Sequence, residues 1–396
     1  MKKWLAVLVV LLVAIVVVGV IFVARYATSY SADKLHFERG ETELVIANQA
    51  HAPIRLFKAG KTLAETSPIS NFDGNRIWLP PGNYFLQAEQ SGHQTFFSIP
   101  LVGFRRGPDA NGEFAVTVRS MAADSPPRLF PNAPAFILIP SGHFLYGDHA
   151  NPLEPHYVWQ KAFFISPFEV TNEEFKAFIS DPTGYDNNAN WTEGGRKWKA
   201  ENRSQSSAQL SSSDADFKRF GQTDQPVVNV NWFEATAYCH WLTKKMGANQ
   251  WIYSLPSEAE WEKAARGPDN FDYGLGMNLS DADVKLYNWK KNPSAEVTVV
   301  GWQATSGNYQ PNRYGVFHLT GNVAEWTVSL NQPANREHPF TDDERNQESL
   351  SGARVVRGGS WYSASTATMY IPYRETFEPS VHTPYLGFRI VARMIS

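Results

Sequence analysis

The sequence predicts an α+β protein built in series: an apolar amino-terminal helix, a small β-sandwich, and a large domain with little regular structure. Three observations carry that expectation. An uncharged apolar run opens the chain, short strand-like segments separated by turn residues follow, and three strongly capped helix starts are scattered through the turn-rich remainder. At 396 residues the chain suits two or three domains. With 43% hydrophobic and 19% charged residues it can bury true cores, which excludes wholesale disorder. Lys and Arg number 36 against 39 Asp and Glu, a balance that provides no basic footprint for nucleic acid. The 13 Trp, 16 Tyr and 25 Phe point to packed irregular structure or to a recognition surface. Cys239 is the one cysteine, which excludes intrachain disulfides, cysteine-based zinc sites and C-x-x-C redox chemistry.

Residues 1–25 read as a cytoplasmic tip and a transmembrane signal anchor. The run from Leu5 to Ala24 holds no charge. Roughly 20 residues at about 1.5 Å each span a hydrocarbon core of roughly 30 Å. A cleavable signal peptide is the alternative. Its apolar stretch is usually about 7–15 residues and ends at a small-residue site, which Arg25-Tyr26-Ala27-Thr28-Ser29 matches poorly. Lys2 and Lys3 favour the cytoplasmic side. The expectation is a single-pass protein of the inner (cytoplasmic) membrane, with its C-terminal bulk in the periplasm or outside.

Residues 26–42 read as a polar tether. Over 43–120, the segments Leu44-Val45-Ile46, Ile54-Arg55-Leu56-Phe57, Arg76-Ile77-Trp78-Leu79, Tyr84-Phe85-Leu86-Gln87-Ala88 and Phe114-Ala115-Val116-Thr117-Val118 alternate with turns. That spacing suggests a small β-sandwich. Leu79-Pro80-Pro81-Gly82-Asn83-Tyr84 is similar to the turn of PEGA-type surface domains. The module reads as a spacer above the membrane, with a specific binding role as the alternative. Residues 121–133 carry Pro126, Pro127 and Pro131 and read as a semi-rigid linker.

The large domain, 134–396, holds the three helix starts. Thr171-Asn172-Glu173-Glu174 is a capping box, and Val170 with Phe175 forms a hydrophobic staple. Asn231-Trp232-Phe233-Glu234 repeats the pattern with an Asn cap. Behind it Ala235, Tyr238, Cys239 and Leu242 share one helical face, so Cys239 reads as a core residue. Ser257-Glu258-Ala259-Glu260 is the third box, and Gly267 stops its helix.

These helices and the segments between them resemble the sulfatase-modifying-factor, or formylglycine-generating-enzyme (FGE), family. The matching segments include Phe168-Glu169-Val170-Thr171-Asn172, Gln225-Pro226-Val227-Val228-Asn229-Val230-Asn231-Trp232 and Leu255-Pro256-Ser257-Glu258-Ala259-Glu260-Trp261-Glu262. Gly321-Asn322-Val323-Ala324-Glu325-Trp326, Arg357-Gly358-Gly359-Ser360-Trp361 and Leu386-Gly387-Phe388-Arg389 follow in family order. The resemblance implies the family fold, an FGE-like, C-type-lectin-related α+β domain. It also implies chemistry: the family makes formylglycine with oxygen, copper and a C-x4-C pair just after the R-G-G-S motif.

Here Ser363 and Thr368 occupy those two positions, and no cysteine follows Cys239. Thiolates suit soft Cu(I), and neutral hydroxyls do not replace them. The expectation is therefore no copper and no formylglycine formation. Calcium is the other metal that the resemblance implies, at Gly321, Val323 and Glu325. His318 stands where the family usually has Asn or Asp, and the second family site, starting at Asn288, has no acid between Trp289 and Ala295. The plain alternative for Glu325 is a carboxylate that ties a loop. Sulfoxide synthases related to the family need a separate helical iron domain, which the β-rich upstream module does not match.

Arg357, Ser360, Trp361 and Tyr362 are candidates to line a groove, together with Tyr370 and Tyr385. Arg357 and Arg389 have a structural alternative, since a guanidinium can pin several loop carbonyls. His318, His338 and His382 are candidate metal ligands, with ordinary hydrogen-bonded histidines as the alternative. Two polar insertions, 181–224 and 330–352, stand where specificity resides in such scaffolds. The sequence therefore points to a membrane-anchored extracytoplasmic FGE-like protein that serves as a binding or assembly module of an envelope complex. Its partners would be envelope proteins or an extracytoplasmic peptide or glycan. The alternative is an oxidoreductase of the same superfamily that works without the cysteine pair.

Overall fold

In the computed structural model, all three capping patterns start helices. Thr171 Oγ1 accepts from the Glu174 amide at 3.2 Å, and Glu174 accepts from the Thr171 amide at 2.9 Å, opening Asn172–Ser180. Asn231 and Glu234 make the same exchange at 3.0 and 3.1 Å ahead of Trp232–Met246. Ser257 and Glu260 repeat it at 3.2 and 2.8 Å ahead of Glu258–Arg266. Gly267 leaves that helix at φ 65°, a left-handed conformation that favours glycine.

The structure describes residues 35–36, 38–90, 92–103, 108, 113–120, 125–130, 133–147, 156–202, 205–246, 250–279, 288, 309–331, 347–349 and 351–395. The apolar run Leu5 to Ala24 lies outside them. Among the described residues no helix is long and apolar enough to cross a membrane.

The chain divides into two compact units. One comprises Met1–Ala47, Phe72–Gly82 and Leu101–Val116. In it Thr42–Asn48 pairs antiparallel with Arg76–Leu79, and Phe114–Val118 lies on its other edge. Leu44 and Ile46 are buried on alternate positions, the signature of a half-buried strand.

The other unit comprises Asn48–Asn71, Asn83–Pro100 and Thr117–Ser396. It carries a sheet in the order Thr66–Pro68, Ile54–Ala59, Gly82–Gln90, His93–Leu101. This sheet packs against the larger part of its own unit. Arg313 donates to Asp269 at 3.0 and 2.9 Å and to the Leu63 carbonyl at 2.9 Å, with its guanidinium over the Phe85 ring. Tyr157 reaches the Pro100 carbonyl at 2.7 Å. The proline segment also lies on the domain, where Pro127 accepts from the Tyr253 hydroxyl and Leu129 packs on the core.

Two further sheets build the large domain. One runs Trp251–Ser254, Val391–Met394, Phe163–Ile165, Ile137–Ile139, antiparallel throughout. The other runs Glu375–Phe377, Arg354–Arg357, Ala324–Leu330, Leu386–Gly387 and is mixed, its last pair being parallel. An antiparallel hairpin of Gly142–Tyr146 and His156–Gln160 completes the β structure described. Phe175, Phe178, Tyr238, Trp241 and Phe388 form an aromatic core between two of the helices and the chain near Leu386–Gly387. Cys239 lies in this core, fully buried.

The helix Glu258–Arg266 departs from what its polar sequence suggests, because every one of its residues is buried. Its acids are matched one by one. Glu258 takes Arg374, Glu260 takes Arg393, and Glu262 takes Arg266 and Arg357. A buried carboxylate stripped of its partner would cost about 3–5 kcal/mol, so these pairs decide how the surrounding loops close on the helix. The 181–224 insertion is tied down in a similar way. Asn190 and Trp191 are buried in it, and the Trp191 indole donates to the Tyr185 carbonyl at 2.8 Å.

Candidate functional site

The site grows from two turns held face to face. After the strand Arg354–Arg357 the backbone passes through Gly358 and Gly359 at φ 93° and 62°. A Cβ on Gly359 would stand 2.7 Å from Met369 and 2.8 Å from the Thr368 carbonyl, so glycine is required there. Before the strand Ala324–Leu330, Gly321 and Asn322 take φ 81° and 57°. The Gly321 amide donates to the Gly358 carbonyl at 2.9 Å, and the Trp361 amide donates to the Asn322 carbonyl at 2.8 Å.

Behind the turns lies a buried polar network. Asn322 Nδ2 donates to Glu169 Oε1 at 2.9 Å, Asn288 Nδ2 donates to Asn322 Oδ1 at 2.7 Å, and His318 Nδ1 lies 3.0 Å from Glu169 Oε2. Burial pushes the Glu169 carboxyl up, but His318 and Arg389 together hold it below its ordinary value. Beside this network Arg389 binds both oxygens of Glu325 at 2.7 Å, and the Trp261 indole donates to Oε2 at 2.8 Å. Arg389 also donates to the carbonyls of Ser166, Pro167 and Phe317. Burial works against its charge, and Glu325 more than restores it. We take the pair as ionised, since both charge-assisted bonds are short and bidentate.

In front of the turns lies an aromatic face. Of the four groove candidates only Tyr362 is exposed, at 51%; Arg357, Ser360 and Trp361 are buried at 1%, 4% and 5%. Arg357 belongs to the core, donating to Glu262 and to the Pro372 carbonyl under the Trp261 ring. Tyr362 stacks on Tyr385 with ring centres 5.2 Å apart and 13° between planes. Arg219, from the 181–224 insertion, covers Phe220 and Trp361 at 4.7 and 5.7 Å from their ring centres. Neither Arg219 nor Glu169 stands out as a site residue in the sequence. Arg219 sits in a polar insertion without a pattern, and Glu169 carries only the motif that precedes the first helix.

The sulfatase-modifying factor enzyme 1-like domain matches residues 122–394 of this chain. The chain belongs to that family. It is 27% identical over 291 residues to the formylglycine-generating enzyme of Streptomyces coelicolor, covering 64% of this chain and 87% of that protein. It is 32% identical over 171 residues to the inactive C-alpha-formylglycine-generating enzyme 2 of Mus musculus, covering 41% of this chain and 48% of that protein. It is 32% identical over 232 residues to the hercynine oxygenase of Mycolicibacterium thermoresistibile, covering 54% and 47%. The chain thus spans about half the length of the last two.

Ser363 and Thr368, the residues that the resemblance places at the C-x4-C positions, lie on one turn. The Ser363 Oγ and the Thr368 carbonyl both flank the position of a Cβ on Gly359, at 2.9 and 2.8 Å. The donor set, however, is wrong for Cu(I). Ser363 Oγ accepts from the Ser360 amide at 2.9 Å, and Thr368 Oγ1 donates to the Ser365 carbonyl at 2.9 Å. Both are neutral hydroxyls engaged in local turns, where a soft ion requires thiolates.

The Gly321, Val323 and Glu325 turn does not fit calcium either. Calcium takes carboxylate and carbonyl oxygens, and the Glu325 carboxylate already faces a buried guanidinium on both oxygens. The loop-tying alternative describes this residue. His318 is buried against Glu169, His382 is exposed, and His338 lies outside the described residues. Among the described residues no cluster of three or more His, Cys, Asp or Glu is arranged to hold a metal.

Proposed function

We propose that this sulfatase-modifying-factor protein is a recognition module and not a formylglycine-generating oxidase. It is anchored in the inner membrane by the run Leu5 to Ala24, and its bulk serves an envelope complex on the far side. It takes an extracytoplasmic peptide or glycan on the face of Tyr362, Tyr385 and Arg219. The observation that carries the reading is the pair Ser363 and Thr368: the turn about Gly359 persists while the thiols that load copper are gone. A stacked tyrosine pair, Tyr362 exposed and Tyr385 half-buried, beside an arginine offers flat apolar area and hydrogen bonding together, which is what recognition surfaces use.

The test is capture in place. The full-length protein is crosslinked in membranes, solubilised in detergent and purified, and its companions are identified by mass spectrometry. Specific envelope partners that disappear in Tyr362→Ala/Tyr385→Ala support the reading. Isolation of the chain alone after crosslinking would contradict it.

A second reading, an oxidoreductase without the cysteine pair, is favoured by the 32% identity to a hercynine oxygenase. Metal analysis of the purified full chain separates the two. Stoichiometric iron or copper favours the enzyme.

A further inference from the structure

Arg219 brings to the aromatic face a charge that the protein answers only weakly. Its guanidinium lies over the rings of Phe220 and Trp361, at 4.7 and 5.7 Å from their centres. A ring face attracts a cation without neutralising it. Among the described residues its carboxylate partner is Asp216, 3.4 Å from Nη1, and Nη2 takes no acceptor. The two side chains are open to water at 35% and 59%, so their pairing is worth little and yields to a better-placed anion. Trp361 in turn lies 5.4 Å from Tyr362 between ring centres, and Tyr362 stacks on Tyr385. The guanidinium and the exposed Tyr362 ring therefore lean on the same tryptophan.

The main chain beneath this face is already engaged. The amide of Ser360 donates to Ser363 Oγ at 2.9 Å, that of Trp361 to the Asn322 carbonyl at 2.8 Å, that of Tyr362 to Ser360 Oγ at 3.2 Å and that of Ser363 to the Ser360 carbonyl at 3.1 Å. The Pro384 carbonyl accepts from the Trp361 indole, and the Tyr385 carbonyl from the Ala324 amide. An extended peptide added to a sheet needs an open row of main-chain groups. This face instead offers a ring and side-chain donors. The Tyr362 and Tyr385 hydroxyls take no partner among the described residues, so they remain available to a polyhydroxyl ligand. The flat Tyr362 ring suits the C–H face of a pyranose.

Building on the reading of this face as a recognition surface, we propose that its ligand is an acidic glycan. One sugar ring lies on Tyr362, and the carboxylate of a neighbouring sugar accepts from Arg219.

The full-length protein in phosphatidylcholine nanodiscs is titrated by calorimetry with two ligands, and empty nanodiscs are subtracted. One is a tetrasaccharide alternating N-acetylglucosamine with glucuronate. The other is the same tetrasaccharide with its carboxyls reduced to alcohols. The acidic form should bind at least about threefold more tightly, and high salt should shrink that advantage. Arg219→Gln should make the two forms equal, and Tyr362→Ala should weaken both. Thermal melts confirm that the variants fold. Equal binding of both forms by the parent protein would overturn the proposal. So would an acidic preference that survives Arg219→Gln, or a Tyr362→Ala variant that weakens neither form. If neither tetrasaccharide binds at millimolar concentration while envelope partners still depend on Tyr362 and Tyr385, the acidic glycan is overturned and the recognition reading stands.

Discussion

Arg389 grips Glu325 through two bonds of 2.7 Å, Nε to Oε2 and Nη2 to Oε1, with both side chains fully buried. The residues are 64 positions apart, and the pair ties the strand Ala324–Leu330 to the loops at Ser166, Pro167 and Phe317. Breaking one side leaves an unpaired charge in the core. Arg389→Met should therefore cost about 3–5 kcal/mol of stability. The double variant Arg389→Met/Glu325→Gln should recover part of that loss, because no bare charge remains. Urea unfolding of the three proteins gives the answer. A single-variant cost below about 1 kcal/mol would contradict a buried ionised pair.

Ser363 and Thr368, which the resemblance places at the family's cysteine positions, both flank Gly359. Ser363→Cys/Thr368→Cys should therefore acquire Cu(I) binding that the parent lacks. Competition against a chromophoric Cu(I) chelator measures it. Equal copper uptake by both proteins would show that the hydroxyl pair is not what sets the metal preference.

On the proposed reading, the aromatic face carries partner binding but little of the fold. Tyr362→Ala should cost no more than about 0.5–1.5 kcal/mol, the worth of an aromatic pair, because half of the side chain is already in water. Partner capture should fall by tenfold or more in the same variant. A large loss of thermal stability with capture intact would reverse those roles.

His240 provides a pH-dependent contact. Its Nε2 lies 2.7 Å from Glu348 Oε2, and its Nδ1 lies 2.7 Å from the Asn190 carbonyl. Burial pulls the imidazole down, and the hydrogen bond and charge of Glu348 more than reverse this, so the folded value lies above the ordinary one. Its stabilisation is thus fully present below pH of about 6.5 and is lost as pH rises through the raised folded value. Glu348→Gln should flatten that part of the stability curve. Unfolding midpoints from pH 5.5 to 8.5 test it, and an unchanged slope in the variant would refute the assignment.

Local chemistry made much of the fold legible. The capping boxes at Thr171, Asn231 and Ser257 are exchanges across three residues, so spacing alone reveals them. The strands containing Leu44, Leu56 and Leu86 show in the same way, through short runs between turns. What stayed hidden depends on contacts far along the chain. The full burial of the helix Glu258–Arg266 depends on Arg357, Arg374 and Arg393, which cover its acids from 95 or more residues along the chain. Arg357 sits beside the site motif in sequence, yet its guanidinium turns inward to Glu262, 95 residues earlier. Glu169 meets His318 across 149 residues, which no periodicity encodes. That no cysteine follows Cys239 is visible without any structure.

The most direct measurement offers the full-length protein, with copper and oxygen supplied, a sulfatase-derived peptide containing cysteine. Mass spectrometry then follows the peptide over many hours. The account predicts no conversion of cysteine to formylglycine, because Ser363 and Thr368 hold no Cu(I) and Cys239 is sealed in the core. Catalytic conversion by this chain, abolished by Ser363→Ala/Thr368→Ala, would contradict it.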